Sequence, residues 1–390
     1  MVPKLFDPTN VGLLSLQHRV VLAPMTRLRA SKTHIPIVGI VKEYYEQRAH
    51  APGTLLITEA TLIAEKAGGF DHVPGIWNQD QIDSWKEITD SVHAKGSYIF
   101  CQLWALGRAA NPKVLVSKGL PYVSASDIKL STATVFPRPL TVVDIQEYVQ
   151  LYAQAARNAI IAGFDGVEVH GANGYLLDQF TRDVSNNRTD TYGGSLENRV
   201  RFPLEIVDAV VEVVGPERVG YRISPWNTVL DMKMDDPKPT FTYLASQLKA
   251  RHPRLAYLHV VEPRVVGMYD RKDADIGIEE ENDSIRSVWA PKPFISAGGY
   301  NRLSAIDAAE RKGHLIAFGR HFIANPDLVY RLENDIPLNA YDRKTFYLPE
   351  APAGYTDYSF AEESADKSLS LLWMTRCKDH ISAMMKRFTP

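Results

Sequence analysis

Short apolar runs rich in β-branched residues recur along this chain, and each ends in Gly, polar or aromatic positions. Eight stand out: RVVLAPM, GTLLITEA, SYIFCQLW, GFDGVEVHG, RVGYRIS, LAYLHVV, KPFISAGG and HLIAFGR. Between most of them, apolar residues return at three- and four-residue spacing, which predicts amphipathic helices over 82–95, 145–162, 196–214, 240–250 and 302–312. Eight alternating units with short connections predict an α/β fold, a single parallel (β/α)8 TIM barrel. Residues 4–18, two short apolar pieces broken by Pro and Gly, read as a hairpin lid over one end of it.

Two stretches exceed what a minimal barrel needs, the long loops 111–139 after strand three and 263–283 after strand six. The second is dense in charge, with Arg264, Asp270, Arg271, Lys272, Asp273 and Asp275 before Glu279, and reads as a solvated lid. Beyond a barrel spanning 1–365, residues 366–390 predict a C-terminal helical extension. Cys377, Ile381, Met384, Met385 and Phe388 share its apolar face, which would pack on the barrel or on a partner.

In such a barrel, chemistry gathers at the C-terminal strand ends. There the chain places Met25 and Thr26, Glu59 and Ala60, Gln102 and Trp104, His170 and Asn173, Arg222, His259, Gly298 and Gly299, and Gly319 and Arg320. The densest stretch is GVEVHGANGYLLDQF. Strand alternation puts Glu168 and His170 on one face, and a turn through Asn173 and Gly174 leads to Tyr175. His170 and Asn173 can both donate to one oxygen, while the Tyr175 phenol keeps its proton at neutral pH. Such a site can polarise a carbonyl and deliver a proton nearby. The Gly-rich end of strand seven and Arg320 after strand eight suit a phosphate. Joined to Arg222 and Gln102, they point to a phosphate-bearing cofactor with a polar heterocycle.

Composition removes several other classes. A formal net charge of −2 gives no electrostatic case for nucleic acid or an anionic membrane. Two cysteines cannot make a disulfide framework, and no leader-like opening or long apolar run is apparent, so a cytoplasmic location is expected. No HxH or carboxylate cluster predicts a metal, and no strand ends in a lysine suited to a Schiff base, which disfavours a barrel lyase or hydrolase that works without an organic cofactor. No GxGxxG follows a strand, so no separate dinucleotide domain is expected.

The blocks LAPMTR, GTLLITEA, CQLWALGRAA, HGANGYLLDQF, TDTYGGSLENRVRF, SAGGY, AFGRHFIANPDLVYRL and PLNAYDRKTFY run in order through residues 4–358. Together they resemble the Old Yellow Enzyme family of FMN-dependent ene-reductases. Blocks such as HVPGIW and CQLW are similar to fungal members, including those that act on an unsaturated aldehyde in ergot alkaloid and other secondary-metabolite pathways. The resemblance implies FMN over the C-terminal face, NADPH or NADH as reductant, and ping-pong reduction of the C=C bond of an enal or enone. It implies that Pro24, Met25 and Thr26 line the flavin near its reactive nitrogen, Ala60 and Gln102 its ring edge, and Arg222 its N1 and O2 side. Gly298, Gly299, Gly319 and Arg320 would hold the phosphate. His170 and Asn173 would grip the substrate oxygen as hydride reaches the β carbon, Tyr175 would protonate the α carbon, and Trp104 and Tyr347 would wall the pocket. Isomerisation of an unsaturated carbonyl through transient reduction is the alternative outcome, and a monomer or homodimer is expected. TDTYGGSLENRVRF reads as structural, with Ser195 capping a helix from Leu196, and Glu59 and Glu168 as buried partners for arginines.

Overall fold

A computed structural model describes residues 2–267 and 269–361; the expected extension over 366–390 lies outside them. The eight apolar runs form β1 (Val20–Leu22), β2 (Leu55–Ile57), β3 (Tyr98–Trp104), β4 (Gly166–His170), β5 (Val219–Ile223), β6 (Tyr257–Val261), β7 (Phe294–Ala297) and β8 (Leu315–Phe318). Each pairs in parallel with the next, and β8 pairs with β1, so the sheet closes. Closure explains why the strands read as continuous apolar runs: both faces are covered, one by the barrel interior and one by helices. Val21, Leu55, Phe100, Tyr257, Ile295 and Leu315 fill the interior toward the N-terminal end. Val11, Leu14 and Leu16 join that cluster from a hairpin, Thr9–Val11 paired with Leu14–Leu16, which is the expected lid.

Seven helices alternate with the strands: α1 (Val38–Arg48), α2 (Gln79–His93), α3 (Val142–Ile161), α4 (Arg201–Val214), α5 (Lys238–Arg251), α6 (Asp283–Trp289) and α7 (Arg302–Lys312). Arg320–Ala324 and Leu328–Glu333 follow β8. Several helices begin before the apolar spacing does, because their first turns hold no buried apolar residue and are set by caps. Asn78 and Gln81 form a capping box for α2, and Thr141 and Asp144 do so for α3. The helix read over 196–214 is broken into Leu196–Arg199 and α4, with Val200 between them. Ser195 does cap the first piece, its hydroxyl accepting from the Asn198 N–H at 3.3 Å. Neither long loop is featureless. The first holds the helix Pro112–Ser117 and paired Val123–Ser124 and Arg138–Pro139; the second folds Val265–Val266 against Tyr269–Asp270.

One arginine ties the start of the barrel to its end. Arg48, at the last turn of α1, is buried and donates to the carbonyls of Phe322 (3.0 Å), Ile323 (2.5 Å) and Tyr355 (3.2 Å). Its guanidinium lies 3.6 Å from the centre of the Tyr44 ring. Replacement by a side chain of similar length without donors strands these carbonyls, at about 1–3 kcal/mol for each buried group left unmatched. Arg48→Met is therefore expected to lower unfolding free energy by about 3 kcal/mol or more, read from the urea midpoint at unchanged slope.

Candidate active site

The end of β4 is held rigidly from below. Asn173 and Gly174 adopt left-handed backbone, φ 58° and 82°, which Asn tolerates and Gly takes freely. A Cβ at Gly174 would lie 2.9 Å from the Met232 side chain and 3.0 Å from Leu230. The Asn173 N–H donates to Ser224 Oγ (2.7 Å), the Gly174 N–H to Asp178 Oδ2 (2.9 Å), and Gln179 Nε2 to the Gly174 carbonyl (2.7 Å). Asp178 pairs with Arg182 at 2.8 Å, both fully buried, and Arg182 reaches on to the carbonyls of Pro225 and Met232. Turn, following helix and the loop after β5 thus form one unit.

This scaffold fixes the protonation of His170. The Ala172 N–H donates to His170 Nδ1 at 3.3 Å, so the neutral ring carries its proton on Nε2. Burial pushes the His170 pKa well below its ordinary value, and Arg222 and His259 push it the same way. The ring is a neutral donor. Tyr175 stands edge-on to it, with ring centroids 5.1 Å apart, and edge-on to Trp104 at 4.8 Å. Burial raises the Tyr175 pKa to about 12, with Tyr347 adding and Arg222 opposing. At neutral pH the phenol keeps its proton.

Below these groups lies a buried polar floor spread over four neighbouring strands. Register sets Gln102 opposite Glu168, and Arg222 opposite both His170 and His259. Gln102 Nε2 donates to Glu168 Oε1 at 2.6 Å, and His259 Nδ1 to Glu168 Oε2 at 2.8 Å. Burial opposes ionisation of Glu168, but His259, Arg222 and Gln102 overcome it and hold its pKa low. Burial keeps His259 neutral despite the carboxylate. Glu168, expected as a buried partner for an arginine, is the charge partner of Arg222, while its hydrogen bonds come from Gln102 and His259. Glu59, the other carboxylate expected beside arginines, accepts the backbone N–H of Arg27 at 3.1 Å and is raised to about 7 by burial.

All of these strand ends open into one cavity of about 840 Å³. It is lined by Pro24, Met25, Thr26, Ala60, Gln102, Trp104, His170, Asn173, Tyr175, Arg222, Gly298, Gly299, Gly319, Arg320 and Tyr347, every residue to which the resemblance gave a cofactor or substrate role; Glu59 and His259 of the strand-end ring are buried and do not line it. At its base Arg222 is buried, and its Nε has no hydrogen-bond partner among the described residues. At the far end Gly298 and Gly299 have φ of 117° and 65°, conformations open to glycine, so backbone is bare there. Arg320, expected on a phosphate, is joined to Asp270. Among the described residues no trio of His, Cys, Asp or Glu is placed to hold a metal ion.

Residues 4–339 match the NADH:flavin oxidoreductase / NADH oxidase family. The chain belongs to this family. It is 51% identical over 366 residues to chanoclavine-I aldehyde reductase of Penicillium roqueforti, covering 92% of this chain and 97% of that protein. It is 47% identical over 379 residues to the NADP-dependent oxidoreductase lnbE of Aspergillus flavus, covering 94% and 98%. A probable inactive reductase, easA of Epichloe festucae var. lolii, is 47% identical over 370 residues, covering 92% and 96%. Among solved structures, morphinone reductase in complex with tetrahydroNAD superposes with a TM-score of 0.84 at 41% identity, covering 92% of this chain and 98% of that one. Old Yellow Enzyme from a Pichia species gives 0.84 at 37%, covering 92% and 94%. The resemblance read in the sequence holds: the protein is an FMN-dependent oxidoreductase of the Old Yellow Enzyme family. Since one relative at 47% identity is named as probably inactive, competence rests on this chain's own residues.

In this Old Yellow Enzyme relative the cavity suits FMN. An orphaned buried guanidinium answers the electron-rich edge of the ring system, bare glycine backbone suits a phosphate, and the volume lies within the usual range of about 300–1,000 Å³ for cofactor sites. Sequence reading missed Phe70, Val114 and Leu230 in the wall, because Phe70 and Leu230 stand on loops and Val114 on the short helix Pro112–Ser117, none of them at a strand end. It also missed a strap. Arg27 donates to the carbonyls of Phe346 (3.0 Å) and Gly354 (2.8 Å), and Arg29 to those of Thr345 (3.1 Å), Ala351 (2.8 Å) and Ala353 (3.0 Å). These bonds bind the segment bearing Tyr347 to the loop bearing Met25 and Thr26; the alternating arginines of TRLR, directly after a strand-end motif, were its signal. In ¹⁵N-labelled protein the His170 ring should show a bare Nδ1 and a protonated Nε2 from about pH 5.5 to about pH 8. Titration near the ordinary histidine value would contradict the site as described.

Proposed function

We propose that this enzyme reduces the activated C=C bond of α,β-unsaturated aldehydes and ketones, with FMN as resident cofactor and NADPH as reductant. The observation that carries the reading is a neutral His170 donor beside a Tyr175 phenol that retains its proton, both facing one cavity. When bound, FMN supplies the hydride, drawn from NADPH, that adds at the β carbon. Arg222 would sit at its N1 and O2 edge, Thr26, Ala60 and Gln102 around the ring, and Gly298, Gly299, Gly319 and Arg320 at the phosphate.

The chain's own groups account for the rest. His170 Nε2–H and the Asn173 amide hold the carbonyl oxygen and stabilise the negative charge it gains, each donor worth about 3 kcal/mol in a dry site. Because His170 is neutral and firmly so, it donates a hydrogen bond without giving up its proton to that oxygen. Tyr175, which keeps its proton at neutral pH, is then the proton source for the α carbon. Trp104, Tyr347 and Phe70 form an aromatic wall suited to a substrate with a flat apolar body. Relatives named as aldehyde reductases support an enal as natural substrate, in keeping with a role in fungal secondary metabolism.

Stopped-flow measurement separates the two half-reactions. Tyr175→Phe is expected to slow reoxidation of the reduced enzyme by an enone about 10²–10⁴-fold. Reduction by NADPH should stay within about a factor of two, since that step uses no proton from Tyr175. Unchanged reoxidation would remove Tyr175 from the reaction, and a product of unaltered oxidation state would identify an isomerase.

A further inference from the structure

The loop after β6 carries a carboxylate into the turn assigned above to a phosphate. Val265–Val266 and Tyr269–Asp270 form a two-stranded ribbon that lies on the end of β7. A Cβ at Gly298 would come within 2.7 Å of Val265 Cγ2, and one at Gly299 within 3.8 Å of Asp270 Oδ1. From that position Asp270 takes both arms of Arg320: Oδ2 lies 2.6 Å from Nη1, and Oδ1 accepts from Nη2. Tyr341 completes the nest, its hydroxyl 3.4 Å from Nη1 and its ring centre 5.7 Å from the guanidinium carbon. The hydrogen bond from Arg320 holds Asp270 below the usual carboxylate range, and its counterpart raises Arg320.

An arginine fork grips carboxylate and phosphate through the same parallel N–H groups. Arg320 therefore cannot keep this grip on Asp270 and give the same grip to a phosphate. A phosphate entering beside an ionised Asp270 also meets a like charge. A flavin without a phosphate meets neither obstacle, since the pair can stay closed while the ring system binds at the other end of the cavity.

We propose that Asp270 is a cofactor-discriminating residue, a built-in carboxylate that occupies Arg320 until the phosphate of FMN displaces it. It sets affinity for the phosphorylated flavin and leaves affinity for riboflavin untouched. This inference rests on the reading of Gly298, Gly299, Gly319 and Arg320 as the phosphate cradle. Its basis is the juxtaposition of Asp270, Gly299 and Arg320, three residues brought together from the segments that follow β6, β7 and β8.

Quenching of flavin fluorescence gives dissociation constants for FMN and for riboflavin on flavin-stripped wild type, Asp270→Asn, Arg320→Gln and the double variant. Asp270→Asn, which keeps the side chain's shape, should tighten FMN about threefold or more, in line with loss of a partly exposed ion pair, while riboflavin stays constant. In the Arg320→Gln background the gain should shrink. FMN binding that is unchanged or weaker in Asp270→Asn overturns the proposal. So does a gain of equal size without Arg320, which would reduce the effect to general charge repulsion. A wild-type protein that binds FMN no better than riboflavin, with Arg320→Gln no different, would instead overturn the phosphate cradle itself.

Discussion

A guanidinium buried at the base of a barrel is tolerated only if an opposite charge lies close by, and here Glu168 supplies it for Arg222. Glu168 is itself fully buried, so its charge is bearable only because Gln102 and His259 both donate to it. The positive charge that results faces the cavity, with Nε still unsatisfied. That arrangement favours an electron-rich ring edge bound above it, and it helps to keep His170 neutral.

The chemistry follows from what this floor imposes on its neighbours. A histidine beside a fixed cation does not readily gain a proton, and the Ala172 N–H removes the choice of tautomer. His170 is thereby suited to donate a hydrogen bond rather than a proton, and in the proposed reaction the acid work falls to Tyr175. The two roles are split by environment, one ring depressed by burial and charge and the other raised by burial. Above them, Arg27 and Arg29 hold the segment bearing Phe346 and Tyr347 in place, so the pocket wall depends on backbone carbonyls and not on loop packing alone.

The barrel and its ring of strand-end residues were legible because both follow from periodicity: apolar runs mark strands, and the residue just past each run faces the site. Helix starts at Asn78 and Thr141 were less legible, since capping turns carry no apolar spacing. Pairings across the barrel were hidden altogether. Glu168 meets Gln102 over 66 positions and His259 over 91, and Asp270 meets Arg320 over 50. The sequence shows each residue in place but not the register that joins them. Phe70 and Leu230 escaped notice for another reason, because loop conformation, unlike strand alternation, leaves no period to read.

The visible spectrum of the purified, FMN-loaded protein, taken without oxygen during addition of NADPH and then of 2-cyclohexenone, tests the central claim most directly. The account predicts a yellow protein that bleaches with NADPH and regains its colour on addition of the enone, with the C=C bond of the enone reduced. A protein that cannot be loaded with FMN, or a bleached flavin that no enal or enone can reoxidise, would contradict it.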